Sequence, residues 1–192
     1  MNFLLPDDIS EFSCGVLRGS FDDCLQYAPY VSDVIESTNL DLKDYEVDVK
    51  LHMLMAGQYS CIGGWHCDFI PRKQGVLDYS DESLYEDEGM FIWVSGEPTP
   101  IFLSEDFNVS GSVGSHVDLD RKIQESKVSK LKLKPEKWYQ FSRLSPHIGT
   151  VCTENSWRVF IRLTHRDLVP ENNIENHNRR HAQVYLPQGF SY

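Results

Sequence analysis

Residues 51–69 read LHMLMAGQYSCIGGWHCDF, and the order of residue types in this stretch decides how the rest of the chain is read. It continues a run in which Val47, Val49, Leu51, Met53 and Met55 recur at every second position, the period of a half-buried strand. Asp44 to Ala56 is therefore expected to be β. Gly57 and then Gly63-Gly64 punctuate the chain before it resumes at Trp65-His66-Cys67-Asp68. Side chains two apart on a strand share a face, so His66 and Asp68 offer an imidazole and a carboxylate to one ion while Cys67 turns away. A third ligand must come from far along the chain, and His147, just past another strand-like run, is the candidate.

Outward from this stretch, Phe21 to Ser37 reads as a helix, with Ser20 as N-cap, Leu25, Val31, Val34 and Ile35 among its buried positions, and a possible kink at Pro29. Met90 to Ser95 and Pro100 to Ser104 read as strands around a Gly96-Glu97-Pro98 turn, and Trp138 to Phe141 and Trp157 to Thr164 as further strands. Lys127 to Lys134 alternates only approximately, and Leu77 to Gly89 is acidic and loop-like. Several short strands behind one helix predict a mainly β fold, a sandwich or jelly roll with a supporting N-terminal helix, as a single domain over residues 1–192. A ring of strands would let His66, Asp68 and His147 converge. In Trp157-Arg158-Val159-Phe160-Ile161-Arg162-Leu163, alternation puts Arg158 and Arg162 on one face and Trp157, Val159, Ile161 and Leu163 on the other. An arginine facing inward is costly unless it meets an anion.

Composition bounds the function classes. A net charge of -11 argues against non-specific nucleic-acid binding, which depends on neutralising phosphates. Five cysteines, Cys14, Cys24, Cys61, Cys67 and Cys152, are scattered without a CxxC pair and read as reduced thiols of a cytoplasmic protein. The opening MNFLLPDDISEF lacks a basic signal-peptide region, and no apolar run approaches the roughly 20 residues of a membrane span.

Two histidines and one carboxylate form the facial triad that leaves positions open on non-haem Fe(II). At these residues the chain resembles the 2-oxoglutarate- and Fe(II)-dependent oxygenases. Residues 51–69 look like that family's strand, glycine turn and HxD; WYQFSRLSPHIGTVCTENSWRVFIRLT looks like its later strand, distal histidine and co-substrate arginine. The resemblance covers the central two-thirds of the chain. It implies a double-stranded β-helix, with His66, Asp68 and His147 on the iron and an arginine on the far carboxylate of 2-oxoglutarate. O2 and 2-oxoglutarate would be consumed, and succinate and CO2 released. Arg158, eleven residues after His147, is preferred for the co-substrate; Arg162, which heads an Arg-x-Thr, is the other candidate, or else holds substrate or a structural acid. Tyr59 would donate to the same carboxylate. The prime substrate is expected to be a protein side chain or small molecule rather than nucleic acid. The alternatives are a non-catalytic or Zn-binding cupin-type jelly roll and, supported only by the basic stretch Arg121 to Lys137, a nucleobase-acting oxygenase.

Other motifs carry less. His165-Arg166-Asp167 with Asn172 looks like a kinase catalytic loop, but no Asp-Phe-Gly and no second lobe follow it. His177 and His181 read as solvated, Gly111 to Gly114 is no phosphate loop, and His52 reads as a polar-face residue.

Overall fold

Two ten-residue strands, β2 (Tyr45–Leu54) and β10 (Ser156–His165), pair antiparallel along their full length and form the spine of the protein. The structure is a computed structural model that describes residues 15–81, 84, 89–104, 107–109 and 115–169. Around the spine a five-stranded antiparallel sheet is completed by β1 (Gly15–Gly19) beside β2 and by β5 (Met90–Val94) and β8 (Tyr139–Phe141) beside β10, in the order β1-β2-β10-β5-β8. A three-stranded antiparallel sheet holds β6 (Ile101–Leu103) between β7 (Lys130–Lys132) and β9 (His147–Ile148). β3 (Arg72–Lys73) and β4 (Val76–Leu77) make a small hairpin. The protein is mainly β, and among the described residues no barrel closes, since β1 and β8 remain sheet edges.

Alternation along the spine sorts its two faces. Val47, Val49 and Leu51 of β2 and Val159, Ile161 and Leu163 of β10 are buried together under the N-terminal helical segment. That segment is not one kinked helix but α1 (Phe21–Tyr27), a 3-10 turn at Pro29–Val31, and α2 (Ser32–Glu36). Pro29 has no N–H to continue the α1 ladder, so the helix stops and restarts. α1 opens with a capping box, in which Ser20 accepts from the Asp23 N–H and Asp23 accepts from the Ser20 N–H. Cys24, Ala28, Val31 and Ile35 are its contribution to this core. Met53 and Met55, expected on the same buried face, are instead 44% and 41% exposed, because they lie past the end of that helical cover.

The opposite face of the spine looks toward the three-stranded sheet. There Phe102 of β6 joins Met90, Ile92, Leu133 and Phe141 in a second core. The other side of the small sheet, Ile101, Leu103 and Ile148, packs against a third core centred on Trp65, Leu119 and Ile123. Leu119 and Ile123 belong to α3 (His116–Glu125), an element sequence reading did not place. Its signals were Ser115 as N-cap, which accepts from the Asp118 N–H, and the Leu119/Ile123 pair one turn apart. The layers therefore run helices, large sheet, interior, small sheet, α3. Of the basic stretch, Lys130 and Lys132 are exposed on β7, with Lys132 paired to Glu97. The described cysteines, Cys24, Cys61, Cys67 and Cys152, are free thiols. Among the described residues no helix is long and apolar enough to cross a membrane. His177, His181, Gly111 to Gly114 and most acids of the Leu77 to Gly89 stretch lie outside the described residues.

Candidate metal centre

The segment that follows β2 does not form a regular strand, yet it is stitched to the chain around β9 by a ladder of backbone bonds. Gly57 and Ser60 N–H donate to Cys152 and Thr150, and Gly149 N–H donates back to Ile62. At the end of this ladder His66 and His147 exchange both backbone hydrogen bonds, at 3.0 and 2.9 Å. Gly149 is required for the approach, because a Cβ there would stand 2.8 Å from the carbonyl oxygen and sulfur of Cys61. On the far side, Trp65 N–H donates to Asp120 of α3 at 2.9 Å, which fixes the start of the HxD segment.

This pairing brings together the three residues expected to bind a metal. The ligand atoms of His66, Asp68 and His147 lie within 4.8 Å of one another, and among the described residues no other cluster of this kind occurs. The two imidazole centroids are 4.4 Å apart, and His147 stacks on Phe102 at 4.8 Å. Each histidine is oriented by a carbonyl two residues before it: His66 Nδ1 is 2.8 Å from Gly64 O, and His147 Nδ1 is 3.1 Å from Ser145 O. A carbonyl only accepts, so both Nδ1 atoms carry the proton and both Nε2 lone pairs are left for an ion. Burial, followed by the neighbouring His147, lowers the His66 pKa to about 4, so it is neutral, as a ligand must be, at pH 7. Burial would raise the Asp68 carboxyl, but Arg162 and the two histidines outweigh it and hold it well below the usual range. Cys67 points into the third core, away from the site, as strand alternation requires.

The two arginines of β10 have different surroundings. Arg162 donates to Asp48 through Nε (3.0 Å) and Nη2 (2.6 Å) and to Asp68 through Nη1 (2.6 Å). Arg18 of β1 donates to the same Asp48. Arg18, Asp48 and Arg162 lie side by side in one register row across three strands. Arg162 is thus on a structural acid, Asp48, the role offered for it as an alternative to holding co-substrate, and on Asp68 as well. Arg158 is 2% exposed and lines the same cavity as the histidines, and its side chain makes no hydrogen bond or ion pair among the described residues. Its guanidinium carbon lies 5.7 Å from the centre of the Phe160 ring. Burial lowers its pKa to about 10, so it remains a cation.

Lys50 shares the cavity with Arg158, and burial followed by repulsion from Arg158 lowers its pKa to about 8. Ser60, also on the cavity wall, has a buried hydroxyl beside the Cys61 thiol. His52, read as a polar-face residue, is buried opposite Arg158 in register, and desolvation lowers its pKa to about 2. That polar face is the wall of the interior and not an outer surface. Tyr59 is not part of the cavity wall; its ring lies over Gly63, where a Cβ would be 3.1 Å away. Asp48, Lys50, Arg18 and Asp120 were not singled out from sequence. Asp48 and Lys50 had a signal, as polar residues alternating with Val47, Val49 and Leu51 on a strand whose other face is core.

No protein-family model matches the chain, and comparison with curated proteins and with solved structures finds no significant match.

Proposed function

We propose that the protein is an Fe(II)- and 2-oxoglutarate-dependent oxygenase, a hydroxylase in the first instance, on a double-stranded β-helix whose two walls are the large and small sheets. The observation that carries this reading is the fully buried Arg158, without a side-chain partner among the described residues, on the same cavity as an oriented His-Asp-His cluster. A buried guanidinium without a counter-ion costs several kcal/mol, roughly, and a fold keeps one where a mobile anion completes it. A co-substrate carrying a carboxylate at each end of a short chain fits both requirements, one end on the metal and the other on Arg158.

His66, Asp68 and His147 would hold the ion as two neutral nitrogens and one carboxylate, the donor set suited to Fe(II) with open positions. When bound, iron and 2-oxoglutarate together supply the oxidising chemistry, with O2 consumed and succinate and CO2 released. The chain's own residues do the rest. Arg158 and Lys50 would seat the distal carboxylate, Ser60 offers a hydroxyl on the same wall, and Phe160, Ile92 and Pro100 add apolar surface to it. The prime substrate on this reading is a small molecule or a protein side chain, and free thiols suit a cytoplasmic setting.

Anaerobic titration of Fe(II) with 2-oxoglutarate tests the proposal. A visible metal-to-ligand charge-transfer band that requires all components and is lost in His66→Ala is the expected result. Folded, metal-replete protein without that band would replace the oxygenase with a structural, cupin-type metal site.

A further inference from the structure

We infer that Arg18 and Asp48 set the metal affinity of the His66–Asp68–His147 centre through Arg162, acting as positioning residues for the ligand carboxylate; the inference rests on the metal reading above. Asp68 Oδ2 is the oxygen that faces His147, 3.5 Å from its Nε2. The same oxygen accepts from Arg162 Nη1 at 2.6 Å. A carboxylate oxygen has two lone-pair directions, and Arg162 occupies one, leaving the other for an ion. Arg162 therefore fixes the orientation of Asp68 and at the same time draws charge from the ligand atom.

How strongly it does so depends on Asp48. The Arg162 guanidinium is shared between two acids, and Asp48 takes two of its three bonds to them. Asp48 is in turn shared with Arg18. The result is a chain of alternating charge, Arg18, Asp48, Arg162 and Asp68, in which every inner member divides its charge between two neighbours. Three of the four are held by one row of cross-strand pairs on β1, β2 and β10, so the chain cannot shorten or slip without moving the sheet. Both side-chain ends of the ladder bear on the ion: whatever strengthens the hold of Asp48 on Arg162 frees Asp68 for metal, and whatever weakens that hold commits Arg162 to Asp68.

Opposite substitutions should then have opposite effects. Asp48→Asn keeps the shape and an acceptor oxygen but removes the charge, leaving Arg162 to neutralise Asp68 beside a dication; metal affinity falls by about tenfold. Arg18→Gln leaves Asp48 wholly to Arg162 and removes a positive charge from the site, so metal affinity rises, by about threefold given the half-open position of Arg18. A purely architectural role for the ladder predicts that both changes loosen the site and weaken metal in the same direction.

The test is a titration with Mn(II) alone, followed by loss of the free-ion EPR signal, on wild type, Asp48→Asn and Arg18→Gln at one pH and salt concentration, with near-UV circular dichroism as the check of fold. Shifts of opposite sign support the inference. Unchanged affinities, or two shifts of the same sign, overturn it while leaving the metal centre standing. If Asp48→Asn does not fold, Arg18→Gln decides alone, tighter binding supporting and equal or weaker binding overturning. Failure of the wild type itself to bind Mn(II) removes the metal reading, and the inference with it.

Discussion

Arg158 and Arg162 stand four residues apart on the same face of the same strand, about 13 Å along the chain, and their environments are opposite. Arg162 has two carboxylates within hydrogen-bonding distance; Arg158, more deeply buried, has none among the described residues. Sequence alternation assigns them identical positions, so the difference comes from what the neighbouring strand offers in register. Opposite Arg162 stands Asp48, and opposite Arg158 stands His52, which burial keeps neutral. A guanidinium with its acids supplied is part of the fold. One that has His52 opposite it, Lys50 beside it and, among the described residues, no acid within hydrogen-bonding distance is, on the proposed reading, the seat of an anion.

The largest effect that would test this contrast is on stability. Arg162→Met leaves Asp48 and Asp68 deprived of their shared cation, and breaking a buried pair from one side costs about 3–5 kcal/mol. Urea unfolding should show that loss as a fall in midpoint with the slope unchanged. A loss under about 1 kcal/mol would mean the two acids are compensated elsewhere and would erase the contrast.

Arg158→Met should do the reverse. Replacing an unpaired buried charge by an apolar side chain of similar length leaves the co-substrate-free protein as stable as before or more so. Affinity for 2-oxoglutarate should nevertheless fall about 100-fold, or about 2.7 kcal/mol, with Mn(II) binding unchanged. Calorimetric titration with 2-oxoglutarate on the Mn(II)-loaded protein gives the comparison directly. A destabilised Arg158→Met with normal co-substrate affinity would make Arg158 a structural residue like Arg162.

The same contrast explains how much of the molecule was legible in its sequence. The spine strands and the split of β10 into an arginine face and a core face follow from period-two alternation, which is local and strong; the convergence of His66, Asp68 and His147 was legible from the order of the motif and is made by the backbone pairing of His66 with His147. α3 was hidden by charge: Asp118, Asp120, Arg121 and Lys122 mask a two-residue apolar stripe whose only signal is its spacing. β1 is five residues of the sheet edge, and no reading placed it. Partner choice was the least legible level. That Arg162 meets Asp48 and Arg158 does not meet an acid is a matter of register between strands more than a hundred residues apart, and register is a property of the assembled sheet.

The smallest predicted effect concerns Lys50, whose depressed pKa gives the two halves of the contrast opposite pH dependence. In the folded, unliganded protein burial and Arg158 lower it from 10.5 to about 8, whereas in the unfolded chain it keeps its proton to the ordinary value. Between those two pH values the unfolded state binds more protons at Lys50, so the Lys50 contribution to the stability of the co-substrate-free protein rises with pH across the window, opposed by the buried thiols Cys24, Cys61 and Cys67, which burial holds protonated above their ordinary range. Affinity for 2-oxoglutarate must move the other way, because deprotonation through pH 8 removes one of the two cations at the distal carboxylate; a fall of about tenfold toward pH 9 is expected. Lys50→Met should show both changes at once, a stability profile that falls more steeply with pH than the wild type over that range and a co-substrate affinity fixed near the high-pH value of the wild type. An affinity that falls with pH equally in Lys50→Met would place the titrating group elsewhere and leave Arg158 as the sole cation of the seat.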